Sequence, residues 1–180
     1  MKALIIVDMI NEFVNGRLGS DNVRSIVDNV KSLLTTARNN GTPVFFLTDS
    51  HHPEDRELKI WGPHAIDGTS ESKIISELMP DSENPNEHIV KKNDYSAFFD
   101  DEFVTLLNTK EIDTLYFTGT DTAICVMNNV GDAYHLGFNI VIVADAVASY
   151  STEMHDFAMR YMKDIYGAKF VTTEEAVREL

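Results

Sequence analysis

Residues 114–134 read TLYFTGTDTAICVMNNVGDAY. The segment opens on a short apolar and β-branched run. It continues through the turn Gly119-Thr120-Asp121-Thr122, and Val126, Val130, Ala133 and Tyr134 then recur at helical spacing. Strand, turn and helix in this order form part of a βαβ unit. Similar runs stand at 3–7, 43–47, 87–90, 139–143 and, more weakly, 168–171. Between them lie helically spaced apolar residues, such as Val23, Ile26, Val27, Val30, Leu33 and Leu34, or Phe103, Leu106 and Leu107. Continuous apolar strands of this kind are covered on both faces. The expectation is therefore one α/β domain over residues 1–180, with three α/β/α layers around a six-stranded, mostly parallel, Rossmann-like sheet.

Acidic residues outnumber basic ones by 29 to 15, and a net charge of -14 repels a phosphate backbone, so nucleic acid is excluded as a partner. No apolar stretch reaches the roughly 20 residues of a membrane helix, and the amino terminus lacks the basic region and cleavage site of a signal peptide. A cytoplasmic protein with no membrane partner is expected. The single cysteine, Cys125, cannot form an internal disulfide, so its thiol is available for chemistry.

Open α/β sheets bind ligands at the carboxyl ends of their strands. The residues that follow the runs are Asp8, Asp49, Lys91 and Lys92, the turn at 119–122, and Asp145. Cys125 lies just beyond that turn, at the expected start of a helix, where free backbone amides and the helix dipole favour a thiolate. From position alone, Cys125 serves equally well as a small buried hydrophobe, Asp8 as a turn cap and Lys92 as a solvated charge. Together, an acid, an amine and a thiol at adjacent strand ends are what nucleophilic catalysis requires.

The stretch 50–68 has no clear periodicity and carries three histidines. Asp49 and His51 are two residues apart in an extended segment and point the same way, and His64 can close a site suited to Zn, Mn or Fe. Alternation turns His52 outward. The stretch 79–86 reads as a plain surface connection.

Several of these motifs resemble the cysteine hydrolases that include nicotinamidases, isochorismatases and N-carbamoylsarcosine amidases. The opening Ala3-Leu-Ile-Ile-Val-Asp8-Met-Ile-Asn-Glu-Phe13 resembles the family's first strand with its catalytic aspartate. Lys92-Asn-Asp-Tyr95-Ser96-Ala97-Phe98 resembles the lysine motif and selects Lys92 over Lys91. Gly119-Thr-Asp-Thr-Ala-Ile-Cys125-Val126 resembles the nucleophile segment, and Asp145-Ala-Val-Ala-Ser149 with His155-Asp-Phe-Ala158 resembles the tail. The resemblance implies an isochorismatase-like fold and the triad Asp8, Lys92 and Cys125. It also implies an oxyanion hole from the backbone amides of Asp121 and Cys125, and a cis peptide between Thr120 and Asp121.

Asp49, His51 and His64 resemble the metal ligands of nicotinamidases, with Glu57 as a further candidate ligand. Phe13 and Trp61 match the positions that sandwich the nicotinamide ring, and Tyr95 joins them as a candidate substrate contact. The implied activity is hydrolysis of nicotinamide to nicotinic acid and ammonia through a cysteine thioester, in NAD salvage, with Zn first among the metals and Fe or Mn as alternatives. The metal would hold the pyridine nitrogen. Relatives commonly form dimers or larger assemblies, so a homo-oligomer is expected.

The chain departs from the family pattern at Ile10, where glutamine is usual, and at Ala123, where an acid is usual. Ile10 argues for a second reading, a relative acting on another small amide, ureide or carbamoyl compound. A ligand-binding protein that has lost catalysis is a third reading, and a redox sensor, lacking a resolving cysteine, is the last.

Overall fold

The computed structural model describes residues Met1–Leu180. All six expected runs are strands: β1 (Lys2–Val7), β2 (Val44–Asp49), β3 (Glu87–Lys92), β4 (Thr114–Thr120), β5 (Asn139–Ala148) and β6 (Lys169–Val171). They form one sheet in the order β3-β2-β1-β4-β5-β6. Every neighbouring pair is parallel, so the sheet is wholly rather than mostly parallel. The helices are α1 (Asn11–Val14), α2 (Asp21–Ser25), α3 (Val27–Asn40), α4 (Leu58–Trp61), α5 (Asp101–Thr109), α6 (Met127–His135), α7 (Thr152–Tyr166) and α8 (Thr173–Glu179).

Side chains alternate across each strand, and the sheet therefore feeds two cores. Ala3, Ile5 and Val7 of β1 pack with Phe103 and Leu107 of α5, Val130 and Ala133 of α6, and Ala158 and Met162 of α7. Leu4 and Ile6 face the other way, against Val23 of α2, Val30, Leu33, Leu34 and Ala37 of α3, and Ala176 of α8. Each cluster holds 24 buried residues, so the two faces are covered equally and three layers result. Each fully buried Leu or Ile contributes about 1.5–3 kcal/mol relative to exposure.

Two local differences from the sequence pattern have physical causes. The apolar series from Val23 to Leu34 is two helices rather than one, because the chain breaks at Ile26; Ser20 caps the first by accepting the Val23 N–H. The helix that follows β4 begins before Cys125, as a π-type turn over Thr122–Val126 that runs into α6. The Asp121 carboxylate caps it by accepting the Ala123 N–H.

β1 leads through α1, α2 and α3 to β2 on one side, and β4 through α6 to β5 on the other. The connections after β1 and β4 thus diverge, which opens a crevice at their carboxyl ends. Gly119 lets the two strands approach there. It pairs with Val7 at φ 101°, and a Cβ on it would lie 2.0 Å from the Val7 carbonyl oxygen.

Candidate active site

β1 ends at Val7, and Asp8 leaves the strand with φ 49°, a left-handed conformation that Asp tolerates better than most residues. The Asp8 backbone is held by the Leu47 carbonyl, and Asp8 Oδ1 accepts the Asp49 N–H at 2.8 Å. Parallel register places Asp49 beside Lys92 at the ends of β2 and β3. The buried ammonium of Lys92 therefore bridges both carboxylates. It bonds Asp49 Oδ1, lies 2.8 Å from Asp8 Oδ2 and 3.6 Å from Cys125 Sγ. At 2.8 Å the contact with Asp8 is a buried ion pair. Lys91, by contrast, is exposed and pairs with Asp67. The three residues of the expected triad are thus brought together from the ends of three strands.

Electrostatics in this buried cluster follow from its charge count. Burial and the neighbouring Asp49 push Asp8 up to about 6, against the pull of Lys92. Burial alone would raise Asp49 as well, but the charge and hydrogen bond of Lys92 and the bond from His51 outweigh it, and Asp49 sits below its ordinary range. Burial likewise works against the Lys92 ammonium, yet the two carboxylates raise Lys92 well above its usual value. Cys125 corrects the expectation of a thiolate. Burial pushes the thiol well up, and Asp8 and Asp49 add to that, so the positive charge of Lys92 is overcome. Burial thus favours the thiol over the thiolate, and a carboxylate that can take its proton stands beside it.

The second cluster is built by the loop after β2. His51 pairs with Ile66 across an isolated bridge, which doubles the loop back and sets His64 beside His51, with ring centroids 4.7 Å apart. His52 is exposed, as alternation requires. Asp49, His51, Glu57 and His64 are all buried, and each places one ligand atom within 4.8 Å of the others. His51 Nδ1 contacts Asp55 Oδ2 at 3.3 Å, and His64 Nδ1 donates to the Gly62 carbonyl at 2.8 Å, which turns each Nε2 toward the cluster.

The donor set fits a divalent cation on three counts. His51 Nε2 and Glu57 Oε1 are buried without a hydrogen-bond partner. Glu57 is raised to about 7 by burial and by Asp49. His51, which burial alone would lower, is raised by Asp49, Glu57 and Asp55, so the cluster attracts positive charge. Two imidazoles and two carboxylates suit Zn, Mn or Fe.

Between the thiol and this cluster lies a cavity of about 360 Å³. Phe13, Trp61 and Tyr95, the expected substrate contacts, line it together with Cys125 and Asp121. Trp61 Nε1 donates to the Tyr95 hydroxyl at 3.1 Å, and Phe13 meets His64 edge-on at 5.9 Å. The peptide between Thr120 and Asp121 is cis. Of the two departures from the family pattern, Ile10 is wholly buried in the core beside α3, bridges Ile74 and forms no part of the cavity wall. Ala123 donates its N–H to Asp121.

Asp145 does not belong to the site. β5 continues past it to Ala148, and its exposed carboxylate binds the Thr173 N–H and hydroxyl at the start of α8. Other residues entered unannounced. Leu18, Val23 and Tyr150 complete the apolar wall from the α1–α2 loop, α2 and the β5–α7 junction, and no spacing in the sequence links them to Cys125. Asn129 did carry a signal, as an amide one turn after Cys125 on a buried helix face. It accepts the Ala97 N–H and donates to the Cys125 and Tyr95 carbonyls, tying the lysine motif to the nucleophile helix.

Comparison with known proteins agrees with this fold. Residues 2–175 match the model of the isochorismatase domain. An uncharacterized isochorismatase family protein of Bacillus subtilis is 33% identical over 93% of this chain and 97% of its own. The structure of a Bacillus subtilis nicotinamidase superposes with a TM-score of 0.90 at 35% identity, covering 94% of this chain and 98% of the other. N-carbamoylsarcosine amidase from Thermoplasma acidophilum superposes with a TM-score of 0.88 at 33% identity, covering 96% of each chain. In sequence and fold, the chain belongs to the isochorismatase family of hydrolases.

Proposed function

We propose that the protein is a cysteine amidohydrolase whose substrate is nicotinamide, released as nicotinic acid and ammonia in NAD salvage. The observation that carries this reading is the cavity itself, which has the Cys125 thiol, backed by Lys92 and Asp8, at one end and Asp49, Glu57 and His64 of the four-donor cluster at the other. Aromatic side chains line the space between them. A planar heteroaromatic amide fits that layout: the ring lies against Phe13 and Trp61, its nitrogen faces Asp49, His51, Glu57 and His64, and its carboxamide faces Cys125.

Charge supports an uncharged substrate. A divalent ion would offset Asp49 and Glu57, and Asp121 stands against Arg17, so the loaded wall is near neutral and suits an uncharged substrate.

In the proposed reaction, Asp8 takes the Cys125 proton as sulfur attacks the amide carbon, and Lys92 holds Asp8 while its charge stabilises the forming thiolate. Backbone amides of Asp121 and Cys125 receive the oxyanion; loss of one such donor elsewhere costs about 2.7–4 kcal/mol. Collapse of the tetrahedral species expels ammonia, which takes its proton from Asp8. Water, deprotonated by the same carboxylate, then cleaves the thioester and returns the thiol. A divalent ion held by Asp49, His51, Glu57 and His64 would supply a Lewis-acid anchor for the ring nitrogen.

The alternative reading, cleavage of a carbamoyl or ureide C–N bond, draws support from the likeness to N-carbamoylsarcosine amidase. It gains nothing from Ile10, which lies outside the cavity wall. One assay separates the two: ammonia release by the metal-loaded protein from nicotinamide and, in parallel, from N-carbamoyl amino acids. The proposal expects nicotinamide to be preferred and the preference to collapse on chelation. Preference for the carbamoyl compounds, or indifference to chelation, refutes it.

A further inference from the structure

The side chain of Asp121 has no part in the mechanism above, which uses only its backbone, yet it holds the turn before Cys125 by three bonds. Oδ1 accepts the Ala123 N–H at 2.8 Å. Oδ2 accepts the Ser149 hydroxyl at 2.7 Å and the Tyr150 N–H at 3.0 Å. The Asp121 carbonyl accepts two more N–H groups, from Ile124 and Val126, on either side of the nucleophile. One residue thus fastens both ends of the turn that carries Cys125 and ties that turn to the junction of β5 and α7, where Tyr150 forms part of the cavity wall. Ser149 is anchored in turn, since its carbonyl receives the Asn22 side-chain amide at 3.1 Å.

We infer that the Asp121 carboxylate is a positioning residue for the oxyanion: it fixes the direction of its own backbone N–H, which the carbonyl bonds from Ile124 and Val126 register against Cys125, and it holds Tyr150 beside them. The inference rests on the cysteine-hydrolase reading but not on nicotinamide as the substrate. An oxyanion hole works only when its donors are held in place before charge develops, and a displacement of about 1 Å can cost on the order of 10²-fold in rate. A carboxylate suits the task because it accepts from opposite sides at once. An asparagine must turn its NH2 toward one set of donors, and an alanine leaves all three without this acceptor.

The test compares wild type with Asp121→Asn, Asp121→Ala and, as a milder change outside the turn, Ser149→Ala. Two reactions of Cys125 are measured in each: alkylation by iodoacetamide, which develops no oxyanion, and reversible addition to pyridine-3-carboxaldehyde, in which the thiol adds across C=O and places oxygen where the amide oxyanion would form. Aldehyde affinity should fall about 10²-fold in Asp121→Ala, less in Asp121→Asn and least in Ser149→Ala, with alkylation rates within about threefold of wild type. Amide turnover should lose kcat in the same order, with KM moving less.

Equal losses in alkylation and aldehyde affinity would reduce Asp121 to a structural tether and overturn the inference, as would unchanged aldehyde affinity in Asp121→Ala. Failure of the wild type to hydrolyse nicotinamide would sink the substrate assignment alone; the same comparison with acetaldehyde, which carries no ring, then tests the inference by the same losses.

Discussion

Lys92 joins the two halves of the site. Its ammonium faces Asp8 and Asp49 in a fully buried setting, so the three charges hold one another in place. Lys92→Ala leaves two buried carboxylates without their cation, and removing one partner of a buried ion pair costs about 3–5 kcal/mol. Denaturant unfolding of that variant should show a loss of this size, and a loss below about 1 kcal/mol, the scale of a surface pair, would mean that the cluster is solvated. In the proposed reaction Asp8 sets the pH dependence. Its carboxyl is raised to about 6, and only the ionised form can accept the thiol proton. The rate kcat/KM should therefore fall about tenfold per pH unit below about 6 and level off above it. A pH profile flat down to the ordinary carboxylate range would remove Asp8 as the base.

The strand ends and the turn after β4 carry the site, and their tolerance to change can be stated. At Gly119 an alanine would combine a left-handed φ with a Cβ 2.0 Å from the Val7 carbonyl oxygen. Gly119→Ala should destabilise the fold by at least about 3 kcal/mol, measured by denaturant unfolding, because β1 and β4 cannot separate without disrupting the sheet between two cores. Gly137 also has a positive φ, but a Cβ there meets open space, and its replacement should cost clearly less.

What was legible at this scale followed periodicity. The six apolar runs, and Asp8, Asp49 and Lys92 just past the runs that end at Val7, Leu47 and Val90, could be read directly, because where an apolar run stops is a local property. Asp145 misled because β5 shifts register against β4 between Phe117 and Gly119, so the strand outlasts its apolar run. The thiol's protonation state was illegible for a different reason: position at a helix start is local, whereas burial and two facing carboxylates are products of the whole fold.

For the whole molecule, the order β3-β2-β1-β4-β5-β6 explains why residues so far apart in sequence meet at one crevice. The motifs pointed to Asp8, Lys92 and Cys125, each inside its own short segment, and to Asp49, His51, Glu57 and His64 within one stretch, and the fold brings each set together. They did not disclose Leu18, Val23 and Tyr150, which reach the cavity only through the packing of α2 and α7 around it. A ligand bound by the native cluster alone stabilises the fold, by about 2.7 kcal/mol at 100 times its dissociation constant. Adding Zn to chelator-treated protein should raise Tm, and His51→Ala should abolish the rise. A rise that persists in His51→Ala would place the metal elsewhere. No helix is long and apolar enough to cross a membrane.

The most direct test of the account is to quench the protein in acid during turnover of nicotinamide and measure the mass of the peptide that contains Cys125, beside the turnover of Cys125→Ala. The account predicts a nicotinoyl group on that peptide and a loss of turnover on the order of 10⁶-fold in the variant. An unmodified peptide together with a fully active Cys125→Ala enzyme would contradict it.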